Sequence, residues 1–477
     1  MSTLTPVAGE LAGLAEPAAA RRVQRWTLAA VCVATAMLMF DITVVYAALP
    51  KLTADLGSNL QGLTWVVDAY TVALASVVLS AGSLADRYGR RRVFLGGLGL
   101  FTASSVACAA AGSVEVLSVA RGVQGAGAAA MFAVSLALLA NAFPGTAERA
   151  GALAIYGATL GAAIAVGPIL GGALTSAFGW QAVFLINAPI GVACLLITYK
   201  YVQESRDPEP RRFDVPGQLT LVGGLVLLVT GLLRASERGW SDTTALVALG
   251  VAAGLLLAFV AVEARIRAPM LPLGMFRDRA FSGAQVATAA ISAGLYALVL
   301  YLVLYFQLVL DMTPVQAGLL LVPCMVVNTA VAGATFSLAG RVRPSTLVTA
   351  GLLLVAAGSA AMVALCEVDS SWLALQPALC VAFAGAGLFN PAASAMTLAV
   401  PERQSGLAAG INDTARQAGM AIGIAALGAL IPHGTGLGTG DAQSFVDGLH
   451  HAQLAAAALA ALGAVAMVGF TRKGRAS

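Results

Sequence analysis

Long apolar stretches separated by short polar segments form the pattern of the whole chain. Runs such as Trp26–Leu49, Leu219–Leu233 and Gln453–Phe470 contain almost no charged residues. A helix needs about 20 apolar residues to cross the hydrocarbon core of a bilayer. We count about 14 stretches that approach this length. The pattern therefore predicts an all-α integral membrane protein, because only helices and closed barrels satisfy their backbone polar groups in lipid.

Composition and charge placement support this prediction and give it an orientation. Hydrophobic residues make up 59% of the 477 residues and charged residues only 10%. When the spans are read in order, one side of the membrane collects nearly all of the 27 lysines and arginines. The exceptions are Lys51, Arg234 and Arg238 on the other side, and Arg121 and Arg416 within spans. Since cytoplasmic loops carry an excess of Lys and Arg, we expect both termini in the cytoplasm. The many arginines and alanines are typical of proteins translated from GC-rich DNA, which suggests a bacterial inner membrane.

An internal repeat organises the spans. The segment Gly82–Arg92 (GSLADRYGRRR) follows the second span, and a degenerate copy of it, Ser337–Pro344 (SLAGRVRP), follows the tenth span. Such a repeat is typical of secondary transporters, and here it predicts two six-helix bundles with two inserted helices between them. The predicted parts are a cytoplasmic N-terminal tail (1–25), a first bundle (26–205), a linker with the two additional helices (206–280), and a second bundle with a short cytoplasmic tail (281–477).

Four motifs carry a family resemblance. Gly82–Arg92 resembles the cytoplasmic loop motif GxLADRxGRR of the major facilitator superfamily. Asp41–Pro50 (DITVVYAALP) resembles the first-helix motif of its fourteen-span drug:proton antiporters, with Tyr46 where asparagine is usual. Arg121–Gly127 (RGVQGAG) is similar to the fourth-helix motif RxxQGxG, and Gly167–Gly172 (GPILGG) matches the helix-five motif of export antiporters. The resemblance implies the major facilitator fold and proton-coupled efflux of drugs or antibiotics.

The resemblance also implies roles for two groups of residues. The cytoplasmic gate would consist of Gly82, Asp86, Arg87, Gly89, Arg90 and Arg91. Asp86 would pair with an arginine or lie at a helix N-terminus, although the arginines alone would also serve as topology anchors. The helix-five motif consists of Gly167, Pro168, Gly171 and Gly172. These residues would block leak between the bundles, or they would simply let helices pack closely.

Three ionisable residues of the first half lie at one predicted depth. Asp41 lies about 12 Å from the outer end of its span, and Asp68 and Arg121 lie about 9 Å deep. A buried charge costs at least about 2.5–3.5 kcal/mol unless it is paired. We therefore expect Arg121 to pair with Asp41 or Asp68 and the remaining carboxyl to be protonatable. Our hypothesis makes Asp41 the main proton carrier, Arg121 its electrostatic switch, and Asp68 the acid nearer the substrate path. The alternative is a static pair that holds two helices together.

Polar residues within other spans are candidates for a substrate cavity. The set comprises Asp68, Tyr46, Gln124, Asn390, Asp413 and Arg416. Asp413 and Arg416 are three residues apart on one helical face, where they would offer charge to a substrate or neutralise each other. Asn390-Pro391 interrupts helical hydrogen bonding and would expose backbone to the cavity or only kink the helix.

Together these features predict an exporter that works by alternating access. The chain has no GxxxxGK[ST] phosphate loop, so we expect protons to drive transport, with no cofactor and no resident metal. The expected partners are lipid, protons, and an amphipathic, hydrophobic small molecule, with cationic compounds among the candidates. We expect no nucleic acid, no enzymatic activity, and a monomer. A proton-coupled symporter for a small nutrient or ion is the alternative on the same fold. A membrane sensor or scaffold is less favoured, because no soluble module is visible.

Overall fold

A computed structural model describes residues 6–58, 60–206, 214–266, 269–338, 341–401, 404–431 and 442–472, and these residues are almost entirely helical. The first seven helices are α1 (Pro6–Leu56), α2 (Leu60–Tyr88), α3 (Arg90–Ala109), α4 (Val114–Ala142), α5 (Thr146–Phe178), α6 (Ala182–Leu185) and α7 (Asn187–Tyr201). The next two are α8 (Val215–Arg238) and α9 (Thr243–Arg265). The last seven are α10 (Arg279–Ile291), α11 (Ala297–Leu308), α12 (Pro314–Leu338), α13 (Pro344–Val363), α14 (Trp372–Thr397), α15 (Ser405–Gly428) and α16 (Ala442–Arg472).

Each predicted span corresponds to helical structure, which confirms the all-α membrane fold. The short α6 and α7 together form one span, and a π-helical turn at Ser292–Tyr296 joins α10 to α11 in another. Within the described ranges, 12 helices are long and apolar enough to cross a bilayer. Helix α5 makes up to 13 when its two halves, bent by 42°, count as one span. Helix α15 is not among them, because polar side chains occupy its first half.

The first helix is longer than the apolar run that predicted it. Helix α1 begins at Pro6, so the region predicted as a tail is helical from that residue, and residues 1–5 lie outside the described part. The predicted linker falls partly on residues 207–213, which are also outside it. The degenerate second copy of the loop motif, Ser337–Pro344, includes residues 339–340, which likewise lie outside the described ranges. The domain boundaries therefore stay predictions.

Two bundles and an inserted hairpin make up the fold. In the first bundle α2 and α3 pack on α4, and α1 packs on α5; in the second, α14 packs on α12 and α13, and α16 on α13. The bundles meet along two seams, one between α2 and α15 and one between α5 and α12. Helices α8 and α9 pack on each other, and α8 also contacts α2 and α15. The inserted hairpin thus lies beside the first seam.

Hydrogen bonds fix α8 to the first bundle. The Gln218 amide nitrogen donates to the Ser76 carbonyl of α2 over 3.0 Å, and the Ser80 hydroxyl donates to the Gln218 amide oxygen. The Ser80 hydroxyl also lies 3.6 Å from the Met270 sulfur, beyond the end of α9. An amide group without a hydrogen-bond partner is costly in an apolar environment. These hydrogen bonds therefore stabilise the hairpin in its position against the first bundle.

The α5–α12 seam is close because glycines stand on both sides of it. A Cβ at Gly172 of α5 would lie 2.6 Å from the carbonyl carbon of Pro314, and a Cβ at Gly318 of α12 would lie 2.5 Å from the carbonyl oxygen of Pro168. Backbone therefore meets backbone in a reciprocal contact between the bundles, which is the kind of approach that small residues permit in membranes.

Candidate functional site

A buried ion pair lies at the centre of the first bundle. Asp41 of α1 is 0% exposed and Arg121 of α4 is 1% exposed. A guanidinium nitrogen of Arg121 donates to the Asp41 carboxylate, and Arg121 Nε donates to the Val66 carbonyl of α2 over 3.1 Å. The sequence did not decide whether Asp41 or Asp68 is the partner of Arg121. The structure pairs Arg121 with Asp41.

Two amides complete the shell around the Asp41 carboxylate. The side-chain nitrogens of Gln124 and Asn187 each donate to Asp41 Oδ1 over 2.9 Å. The Gln124 nitrogen also donates to the Ser105 hydroxyl over 2.8 Å, and its oxygen accepts from Arg121 over 2.7 Å. Helices α1, α2, α3, α4 and α7 therefore share one hydrogen-bonded network. A buried charge pair needs additional bonds of this kind to offset desolvation.

Aromatic rings cover the remaining faces of the arginine. The guanidinium carbon of Arg121 lies 4.2 Å from the Tyr70 ring centroid and 5.8 Å from the Phe184 centroid. Such cation–π contacts stabilise a desolvated guanidinium by about 2 kcal/mol or more. The rings also exclude water from the ion pair, which strengthens its electrostatic attraction.

Asp68 is the contrasting acid of the same bundle. Its side chain is 0% exposed, and neither carboxyl oxygen has a hydrogen-bond partner within the described residues. Its electrostatic neighbours include Tyr46 of α1 and Tyr301 of α11. The Tyr46 hydroxyl is also buried without a partner in that part of the chain. Asp68 therefore lies near α11 of the second bundle as well as α1, whereas Asp41 lies in the interior of the first bundle.

The second bundle contributes a separate polar group. Arg416 donates to the carboxylate of buried Asp413, and its guanidinium carbon lies 6.0 Å from the ring centroid of Phe132 on α4. On α14, the amide nitrogen of exposed Asn390 donates to the Tyr296 hydroxyl over 2.9 Å. Of the predicted cavity residues, Tyr46 and Asp68 are neighbours, and the other four divide between two places. Gln124 lies in the Asp41 network, while Asp413, Arg416 and Asn390 lie on the second bundle.

The residues predicted as a gate form contacts inside the first bundle. Asp86 pairs with Arg90 of its own motif over 3.1 Å. The Arg91 backbone N–H donates to a Glu204 carboxylate oxygen over 3.0 Å. Arg87 lies over the Tyr88 ring at 5.5 Å, and a Cβ on Gly82 would meet no atom within 4 Å. The loop between α2 and α3 is therefore bound to the chain that follows α7.

Glycine is required at one position of this loop. Gly89 has a φ of +109°, and a Cβ there would lie 2.6 Å from the Glu204 carboxylate. Residues other than glycine rarely adopt a backbone conformation with positive φ. The second glycine of the sequence motif is thus explained by the turn from α2 into α3.

The helix-five motif lies against both bundles. A Cβ on Gly167 would lie 1.8 Å from the Thr43 hydroxyl, and one on Gly171 would lie 2.6 Å from the Val44 carbonyl oxygen. These glycines let α5 approach α1, while Pro168 and Gly172 contact α12. The motif therefore occupies a point where three helices meet closely.

Three residues of these networks were not predicted from the sequence. Asn187 and Ser105 belong to the Asp41 network, and Tyr296 belongs to the contact with Asn390. Asn187 gave a usable signal, because an amide within an apolar helix needs a partner. Tyr296 lies at the end of the π-helical turn, and π turns are frequent at functional sites. No pattern in the sequence distinguished Ser105.

Comparisons with known proteins agree with the motifs. A family model described as Major Facilitator Superfamily matches residues 31–424. The chain is 35% identical over 413 residues to "Multidrug resistance protein Stp" of Mycobacterium tuberculosis, covering 86% of this chain and 76% of that protein. It is 35% identical to the methylenomycin A resistance protein of Streptomyces coelicolor, covering 86% of each. It is also 35% identical to the puromycin resistance protein pur8 of Streptomyces alboniger, covering 91% and 88%.

Solved structures share the architecture at low sequence identity. The crystal structure of a peptide transporter POT in complex with sulfate matches with a TM-score of 0.68 and 17% identity, covering 94% of both chains. The human organic anion transporter MFSD10 (TETRAN) matches with a TM-score of 0.64 and 16% identity, covering 93% of this chain and 99% of that one. These similarities support the fold of the membrane domain.

Proposed function

The chain belongs to the major facilitator superfamily, and on that premise we propose that it exports hydrophobic, amphipathic compounds, including organic cations and antibiotics, in exchange for protons. Three relatives at 35% identity carry names that concern multidrug, methylenomycin A or puromycin resistance. Transport is by alternating access, in which the two bundles rock around a site between them.

The observation that carries this proposal is the unequal treatment of two buried acids. Asp41 receives three donors, whereas Asp68 receives none from the described residues. Burial without a partner favours the neutral, proton-carrying form of a carboxyl, and an adjacent guanidinium favours the carboxylate. In this conformation Asp68 is therefore the site for a proton and Asp41 is the partner of Arg121.

Rearrangement of Arg121 couples the two acids. When the guanidinium leaves Asp41 and moves toward Asp68, Asp68 releases its proton; when the guanidinium returns to Asp41, Asp68 binds the next proton. Each proton that enters down a membrane potential supplies about 2.3 kcal/mol per 100 mV. That free energy drives a hydrophobic compound outward against its gradient.

Both bundles contribute to the substrate site in this proposal. Tyr46 and Asp68 face it from the first bundle, and Asp413, Arg416 and Asn390 face it from the second. The site holds more acids than bases, which favours a cationic or polarised amphipathic substrate. Ligand cavities are generally lined mostly by apolar side chains, so we expect apolar residues around these polar groups.

The proposal includes the cellular setting. The protein lies in the bacterial inner membrane with both termini in the cytoplasm, because the arginine-rich loops lie on the cytoplasmic side by the positive-inside rule. It acts as a monomer, with protons as the coupling ion and no other cofactor. It is a transporter and not an enzyme.

A vesicle assay tests the proposal. The purified protein is reconstituted into proteoliposomes, and ethidium or puromycin is added while a pH-sensitive dye reports proton movement. We expect substrate-driven proton release from wild type and a loss of more than tenfold in Asp41→Asn and Asp68→Asn, with substrate binding retained in Asp41→Asn, since Asp41 does not face the substrate site. Asp55→Asn is the matched control, because Asp55 is exposed at the end of α1.

Two results contradict the proposal. Proton release of wild-type size in both variants shows that neither acid carries the coupled proton. Accumulation of the compounds in cells that express the protein, rather than their depletion, indicates a symporter instead.

A further inference from the structure

A cavity lies within the first bundle, at the end opposite the arginine-rich loops. It has a volume of about 640 Å³ and opens between the end of α1, the start of α2 and the start of α4. Trp65, Ser118 and Glu115 line it, together with Ser58 and Ser113. We call this cavity the outer vestibule. A water molecule occupies about 30 Å³ in the liquid, so the outer vestibule has room for many.

The lining of the outer vestibule is polar on the side of α4. Glu115 is exposed at its rim, and the hydroxyl oxygen of Ser118 is buried without a hydrogen-bond partner within the described residues. A buried hydroxyl normally finds a partner in protein or in ordered water. Water at the floor of the outer vestibule would satisfy this one.

The floor of the outer vestibule lies less than one helical turn from Asp68 along α2 and from Arg121 along α4. Ser118 precedes Arg121 by three residues on α4, and Trp65 precedes Asp68 by three residues on α2. Residues three apart share one face of a helix, and the rise of 1.5 Å per residue places the deeper pair about 4.5 Å below the lining pair. Helices α2 and α4 are packed against each other along this length.

We propose that the outer vestibule is the route by which protons reach Asp68 and the Asp41–Arg121 pair from the side opposite the arginine-rich loops. A hydronium ion in the vestibule donates its proton to the Asp68 carboxylate, which leaves a water molecule and a neutral carboxyl group. The carboxylate of Glu115 at the rim attracts cations toward the opening. This inference rests on the proposed proton coupling.

The location of the outer vestibule separates the proton path from the substrate path. Its walls belong to α1, α2 and α4 of the first bundle, whereas Asp413, Arg416 and Asn390 lie on the second. A proton therefore reaches Asp68 through the first bundle, while the substrate occupies the space between the bundles. The two ligands then compete through charge at Asp68 and do not need the same opening.

Site-directed blocking tests the route. Ser118→Cys is reconstituted into proteoliposomes and treated with a membrane-impermeant trimethylammonium methanethiosulfonate. Five of the six native cysteines are buried, and treated wild type controls for the sixth. We expect labelled Ser118→Cys to lose at least tenfold in substrate-driven proton flux, while its affinity for ethidium changes less than twofold. Val116→Cys, 55% exposed on the same helix, is the matched control and should keep its flux when labelled.

The outcomes separate this inference from the proposal on which it rests. Labelled Ser118→Cys with wild-type proton flux, or a Ser118→Cys that the reagent does not reach, overturns the route. Absence of substrate-driven proton flux in untreated wild type overturns the proton coupling itself. Glu115→Cys at the rim provides a second labelling position if Ser118→Cys does not fold, and it should also lose flux on labelling.

Discussion

Substitution of one glycine at the α5–α12 seam should move the two bundles apart. A Cβ at Gly172 would lie 2.6 Å from the carbonyl carbon of Pro314, and ordinary van der Waals contact begins at 3.4 Å. Gly172→Ala must therefore separate the helices by about 0.8 Å, the difference between these two distances. The opposing atoms belong to the backbone, so they cannot rotate away as a side chain would.

The free-energy cost of Gly172→Ala can be estimated from the effect of overpacking in protein cores. Forcing an extra methyl group into a well-packed site costs about 1–3 kcal/mol. That cost shifts a two-state equilibrium by about five- to 150-fold. We expect Gly172→Ala, and Gly318→Ala on the facing helix, to depopulate the arrangement in which α5 and α12 touch.

Distance measurement between spin labels provides the assay. Labels at Phe178 of α5 and Val326 of α12 suit pulsed electron paramagnetic resonance, because these side chains are 76% and 62% exposed. Gly172→Ala should add a population with a longer distance between the labels. Gly157→Ala is the matched control, because a Cβ at Gly157 would meet nothing within 4 Å. A distance distribution for Gly172→Ala that matches wild type would refute the steric argument.

Two further substitutions test the contacts of the first bundle. Asn187→Ala removes a hydrogen bond to the Asp41 carboxylate, and bonds to charged groups contribute about 1.5–3 kcal/mol. Its Tm in detergent should fall, and an unchanged Tm would mean that this bond does not stabilise the bundle. Gly89→Ala places a Cβ 2.6 Å from the Glu204 carboxylate at a φ of +109°, at a cost of about 1–3 kcal/mol. Differential scanning fluorimetry should show a lower Tm than for Gly96→Ala, whose Cβ would be in open space.

The sequence predicted the depth of the buried charges but not their partners. A constant rise per residue fixes how deep a side chain lies in a helix of known ends, so Asp41, Asp68 and Arg121 could be placed at one level. Rotation of each helix about its axis depends on tertiary packing, which periodicity does not reveal in helices that are apolar on every face. The choice of Asp41 as the partner of Arg121 therefore required the structure.

Polar residues without a motif were the hardest to assign. Ser105 is one of several hydroxyl residues on α3, and its neighbours Thr102 and Ser104 donate to carbonyls of their own helix. Such local bonding is common for Ser and Thr in helices. A hydroxyl that also accepts from the Gln124 amide, as that of Ser105 does, has the same sequence signature. The motif residues were easier, because glycine, proline and arginine each leave few structural alternatives.

The inserted hairpin makes the two flanks of the transporter unequal toward lipid. Helix α8 contacts both α2 and α15 and so covers their seam from outside, with α9 packed beyond it. The seam between α5 and α12 has no such cover among the described residues. On one flank the hairpin therefore separates the bundles from lipid, and on the other the bundles border lipid themselves. The hairpin thus makes a pseudo-symmetric pair of bundles asymmetric toward the surrounding lipid.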